Sequence, residues 1–97
     1  MKKQLNSLRI EFTNFFEKQR KSAPHEIRVA FRESLTLFIE DPSNSHLRNH
    51  PLQKKLAGYK SINITEDWRA LFKEAQTGKQ KIITFHKIGT HEELYGK

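Results

Sequence analysis

Residues 56–95, LAGYKSINITEDWRALFKEAQTGKQKIITFHKIGTHEELY, decide the fold. Three runs of strand character lie within them. Residues 59–65 alternate and carry two isoleucines, Ile62 and Ile64, and residues 68–75 are mixed and half apolar. Residues 80–88 supply Ile82, Ile83, Phe85 and Ile88. Runs of this length, rich in β-branched and aromatic residues, fit a pleated, half-buried surface. The Thr65-Glu66-Asp67 link is short enough only for a hairpin, and Gln76-Thr77-Gly78-Lys79 contains the glycine a second hairpin turn wants. The stretch therefore predicts an antiparallel meander, then a short polar tail ending in the aromatic Tyr95.

Upstream, Leu8-Arg9-Ile10-Glu11-Phe12 alternates apolar and charged residues, as a half-buried strand does. Thr13 is an N-cap for a short helix through about Arg20, with Phe15 and Phe16 as its apolar contribution. Ser22-Ala23-Pro24 marks a new start, serine as cap and proline in the first turn, where its missing N–H costs nothing. From there Ile27, Phe31, Leu35 and Phe38 form one helical stripe, with Arg28, Arg32 and Glu33 off it. Asp41-Pro42 ends the helix, because the residue before proline is pushed out of the α region. Residues 41–55, DPSNSHLRNHPLQKK, are polar and without clear periodicity. No repeat, low-complexity tract or linker divides the chain, so residues 1–97 read as one domain. The expected class is α+β: an N-terminal strand and a two-helix hairpin packed on a small antiparallel β-sheet.

Eighteen Lys+Arg against 11 Asp+Glu give the 97 residues a formal charge of +7. Such an excess attracts polyanions, so nucleic acid or an acidic protein is the expected partner. Without cysteine there is neither a disulfide nor a thiolate metal site. Met1-Lys2-Lys3 opens like a signal peptide, but Gln4, Asn6 and Arg9 interrupt any apolar region behind it. No run approaches membrane-spanning length, so the expected location is the cytoplasm. His46 and His50 are four apart, but no third ligand follows at motif spacing, and no metal or cofactor is expected. Phosphate-cradling glycine loops and Ser or Cys nucleophile signatures are absent too.

What remains suits RNA cleavage without a metal. That reaction needs a base for the ribose 2′-OH proton, an acid for the leaving 5′-oxygen, and fixed cations where charge builds on phosphorus. Histidine exchanges protons near neutral pH, and Arg and Lys can clamp the phosphate. His50, Asp67, Arg69, Lys87 and His91 are the candidates, all at expected element ends or in loops. Each has a plainer reading. Asp67 also suits a tight turn, and His86 and His91 also suit a surface or packed role.

Residues 46–96 resemble the RelE/ParE superfamily of type II toxin–antitoxin toxins, and most its RelE/YafQ branch. The resemblance is carried by Leu56-Ala57-Gly58-Tyr59-Lys60-Ser61-Ile62, by Asp67-Trp68-Arg69-Ala70-Leu71-Phe72, and above all by the run KIGTHEELY from Lys87 to Tyr95. It implies a small antiparallel sheet flanked by N-terminal helices. It also implies an endoribonuclease that cleaves mRNA on the ribosome, leaves a 2′,3′-cyclic phosphate and is silenced by an antitoxin. The GTHEELY tail resembles the YafQ-type GSHSELF, which marks His91 as the catalytic histidine. Lys87 and Asp67 match a basic and an acidic residue of that branch, and His50 its histidine ahead of the first meander strand. Arg69 resembles the phosphate-clamping arginine of RelE, and Lys60 a lysine beside its first meander strand. Ser61 and Asn63 depart from the branch, standing where it carries an acid and a histidine. Lys54, Lys55 and Lys60 are the expected RNA-backbone contacts. Tyr95 either stacks on a base or pins the C-terminus. Two other functions are compatible with this fold: a non-enzymatic DNA gyrase inhibitor of the ParE kind, and a basic binding module with a degenerate site.

Overall fold

In the computed structural model, which describes residues 7–96, the alternating run becomes strand β1 (Ser7–Phe12). Thr13 then caps helix α1 (Asn14–Ser22), its Oγ1 accepting from the Phe16 N–H at 3.0 Å. The opening residues 1–6, and with them the reading of a broken signal peptide, lie outside the described residues. Helix α2 (His25–Glu40) buries Ile27, Phe31 and Phe38 of the expected stripe, with Leu35 half-buried beside them. Two local expectations are corrected. Ser22 is the last residue of α1 and not a cap for α2, whose N-cap position is taken by Pro24 with no side-chain bond. Phe15 is 54% exposed, so α1 gives only Phe16 to the core. On a nine-residue helix lying along a sheet, one of two adjacent positions must face away.

The meander follows as β3 (Lys60–Asn63), β4 (Trp68–Thr77) and β5 (Gln80–Thr90). Its second turn passes through Gly78 at φ +59, a conformation glycine adopts without a Cβ clash. A two-residue strand β2 (His50–Pro51) pairs antiparallel with β3. Residues 41–55 are thus less irregular than their composition implied: they carry β2 and the core residue Leu47, 1% exposed. Sheet order is β1-β5-β4-β3-β2. The α+β class holds, but the sheet is mixed, because β1 runs parallel to β5 from Ser7 opposite Gln80 to Phe12 opposite Phe85. Alternation fixes which residues face the core; it says nothing of strand direction.

Both helices cover one face. Phe85 sits at the centre of that core, its ring 5.3–6.1 Å from those of Phe12, Phe16, Phe31, Phe38 and Phe72. A register shift in the β4–β5 ladder places Leu71 opposite Lys87 but Phe72 opposite Phe85, leaving His86 as the extra residue of a bulge. The bulge changes the strand's parity, so the core positions run Ile83, Phe85, Ile88. On the other face Ser61, Leu71 and Gly89 are buried outside the helix-side cluster. They lie under the segment expected to be a polar tail.

That element is a third helix, α3 (His91–Tyr95), begun by a capping box. Thr90 Oγ1 accepts from the Glu93 N–H at 3.1 Å, and Glu93 Oε1 accepts from the Thr90 N–H at 2.9 Å. Gly96, at φ +75, closes it. A side chain at Gly89 would put its Cβ 2.9 Å from Glu93 Oε1, the oxygen that closes the cap, and 3.4 Å from the Leu94 side chain, so a residue larger than glycine would displace the capping carboxylate.

Candidate active site

His91 is the first residue of α3, and its N–H donates to the Asp67 carbonyl at 2.8 Å. The helix start is thereby tied to the β3–β4 turn. One helical turn later, Tyr95 meets the His91 ring edge-on with centroids 4.4 Å apart. Its hydroxyl donates to Oγ of the fully buried Ser61 at 3.0 Å, so α3 is tied to β3 as well. The imidazole itself is exposed.

His50 lies opposite Ser61 in the β2–β3 ladder. Its Nδ1 is within hydrogen-bonding distance of the Arg48 carbonyl. A carbonyl only accepts, so Nδ1 carries the proton and neutral His50 keeps its lone pair on Nε2. Arg48 adopts a left-handed φ of +48, which helps aim that carbonyl back at the ring.

Arg69 faces Asn63 across the β3–β4 ladder. Its Nη1 donates to the carbonyls of Thr65, Glu66 and Trp68 at 3.0, 2.9 and 3.1 Å. Those contacts fix the guanidinium against the turn. Nε and Nη2 have no protein partner among the described residues, and they remain for an anion.

These parts surround one hollow of about 570 Å³. Arg48 and His50 come from the segment before β3, and Asn63 from β3. Glu66 and Arg69 come from the turn and β4, and His91 and Tyr95 from α3. Of the expected catalytic set the hollow thus unites His50, Arg69 and His91. Asp67 contributes through its backbone: its side chain is exposed and does not form the wall. Lys87 is half-buried and lines a separate hollow of about 370 Å³ with Phe15, Gln19 and Trp68. Lys54 and Lys55 lie on a 3₁₀ turn (Lys54–Leu56) and line an adjoining groove that shares Tyr95 as a wall. Lys60 is occupied in an ion pair with Glu74 at 3.3 Å. Tyr95 does pin the C-terminus, and its body still faces the hollow.

Arg48 and Glu66 were not picked out in sequence. Arg48 sits in a segment without periodicity, although its place two residues before His50 is a usable signal. Glu66 is the middle residue of a three-residue hairpin link, a position that projects from the sheet whichever strand register is chosen.

Among the described residues no three His, Asp or Glu side chains come together as a metal site would need. His86 is a packed histidine, half-buried at the bulge and roughly perpendicular to the Tyr59 ring. Burial, then the ammonium groups of Lys73 and Lys87, push its pKa below 6.5. No helix among the described residues is long and apolar enough to cross a membrane.

Residues 8–96 match the family model described as the bacterial toxin of type II toxin–antitoxin systems, YafQ. The mRNA interferase toxin YafQ of Escherichia coli (strain B / BL21-DE3) is 30% identical over 91 residues, which span 90% of this chain and 95% of that protein. The crystal structure of an E. coli DinJ–YafQ complex superposes with a TM-score of 0.70 at 30% identity, covering 90% of this chain and 97% of that one. A YoeB/ParE toxin from Agrobacterium tumefaciens shares the fold, with a TM-score of 0.69 at 15% identity over 86% of this chain and 98% of that one.

Proposed function

The chain belongs to the bacterial YafQ toxin family of type II toxin–antitoxin systems, and we propose that its mRNA-interferase activity resides in the hollow between β2, the β3–β4 turn and α3. The observation that carries this reading is the meeting there of two imidazoles and two guanidinium groups, in a space of nucleotide size. His50, with its lone pair on Nε2, takes the proton of a ribose 2′-OH. The 2′-oxygen attacks the adjacent phosphorus, and the bond from phosphorus to the 5′-oxygen breaks. His91 gives its proton to that leaving oxygen, so the products are a 2′,3′-cyclic phosphate and a free 5′-OH. Arg69 and Arg48 meet the charge that builds on the phosphorane oxygens. Asn63 adds a hydrogen bond but exchanges no proton. Asp67 serves by holding the His91 backbone. Lys87 stands outside the hollow and acts at most on a neighbouring part of the strand.

The substrate in this reading is mRNA on the ribosome, and the single domain works in the cytoplasm. Lys54, Lys55 and the Tyr95 ring guide the strand beyond the cleavage point. The partner that restrains the toxin is an antitoxin protein; E. coli YafQ and DinJ form such a toxin–antitoxin complex. Primer extension on a reporter mRNA with purified ribosomes tests the reading. The expected result is discrete cleavage that a His50→Ala/His91→Ala double variant abolishes. Intact mRNA with the wild-type toxin would overturn it.

A further inference from the structure

We propose that Glu66 is a specificity-determining residue that reads guanine beside the scissile phosphate. The inference rests on the nuclease reading above. Glu66 is exposed at the tip of the β3–β4 turn and forms part of the wall of the hollow. Its carboxylate has no ion-pair partner among the described residues. The backbone beneath it is held firmly. Arg69 Nη1 grips its carbonyl at 2.9 Å, and Thr65 Oγ1 accepts from the Trp68 N–H at 3.2 Å. An unpaired carboxylate carried on this held backbone is poorly suited to phosphate, which it repels, even in a chain of charge +7. What it can meet in RNA is a group that donates. Single-stranded bases are read on their Watson–Crick edges, and a carboxylate only accepts. Guanine alone presents two adjacent donors there, N1–H and N2–H, matching the two carboxylate oxygens. Adenine and cytosine offer one amino group beside an acceptor, and uracil one N–H between two acceptors. Tyr95, which also lines the hollow, offers an aromatic ring against which such a base can lie.

The test uses ribosomes programmed with an mRNA library randomised around the cleavage site, with sequencing of the cut ends. Wild type is expected to favour guanine at one fixed position by about tenfold or more, the discrimination of a good bidentate pair. Glu66→Gln replaces one acceptor by a donor and should cut that preference to about twofold or less, while other sites are still cleaved. Glu40→Gln, which removes the same charge at the far end of α2, should keep the preference. An unchanged preference in Glu66→Gln overturns the proposal, as does a wild type indifferent to guanine. A uniform loss at all sites overturns it too, and makes Glu66 a proton-transfer or structural group. Absence of any wild-type cleavage instead overturns the nuclease reading on which the proposal rests.

Discussion

At the scale of single residues, His91 combines an exposed ring with a well-anchored backbone. The bond to the Asp67 carbonyl uses the main-chain N–H, which alanine retains. His91→Ala should therefore reduce cleavage by about 10²- to 10⁴-fold, the usual worth of a general acid, with little change in melting temperature. His91→Gln should behave alike, since it keeps a hydrogen-bonding group and loses titration. Rates and melts on the same purified variants check this, and a folded variant cleaving at the wild-type rate would remove His91 from the mechanism. His91, His50 and Arg69, which the hollow brings together, stand out in the sequence because their residue types suit the proposed chemistry and the family tail points at one of them. Asp67 and Lys87 fall outside that hollow for a geometric reason. Asp67 is one residue past the turn tip, where its carbonyl and not its carboxylate meets the site. Lys87 lies beside the bulged His86, and a bulge changes which way its neighbours face, without announcing itself in composition.

Among the elements, α3 governs the site because it carries both His91 and Tyr95. Five residues make a helix too short to hold itself, so its geometry depends on the capping box, the Ser61 bond and close contact over Gly89. Gly89→Ala should displace the Glu93 carboxylate, break the reciprocal cap and loosen the start of α3 at His91. The expected outcome is a loss of about 1 kcal/mol or more in stability, the usual worth of a cap. It comes with a fall in cleavage larger than the change in folded fraction explains. Urea denaturation beside a cleavage assay measures both, and an alanine variant unchanged in each would show that α3 does not need the close approach. The three meander strands were readable from β-branched runs and turn chemistry. α3 was not, because five residues offer no periodicity. Its one local signal, threonine three residues before glutamate in Thr90-His91-Glu92-Glu93, was available and is the general signature of a helix start.

For the whole molecule the excess of positive charge sets the terms of binding. Affinity for ribosomes should fall steeply with salt, each phosphate contact on a single strand adding about 0.7 to the log–log slope. Lys54→Ala/Lys55→Ala should make the slope shallower by about one unit or more, read from binding titrations across a salt series. An unchanged slope would show that these two lysines touch no phosphate. His86 supplies a pH dependence of stability. Its pKa is lowered on folding, so the unfolded chain binds more protons at this ring as the pH drops. The stability it contributes is present above pH 6.5 and is lost as the pH falls toward the folded value. Melts at pH 8 and pH 5 should show a larger acid loss in wild type than in His86→Gln, and equal losses would remove His86 as the cause.

The parallel pairing of β1 with β5 also bears on when the protein becomes active. Phe85, around which the core rings gather, and His91 both lie far downstream of β1 in the sequence. β1 waits for a partner 73 residues downstream, as Ser7 pairs with Gln80. Until β5 has emerged, a nascent chain has neither the centre of its core nor the strand that closes its sheet, and contacts this distant in sequence form late and slowly. The site is therefore absent, by topology, until β5 and α3 have both been synthesised. The same delay gives an antitoxin already present in the cell time to meet the chain before its site has formed.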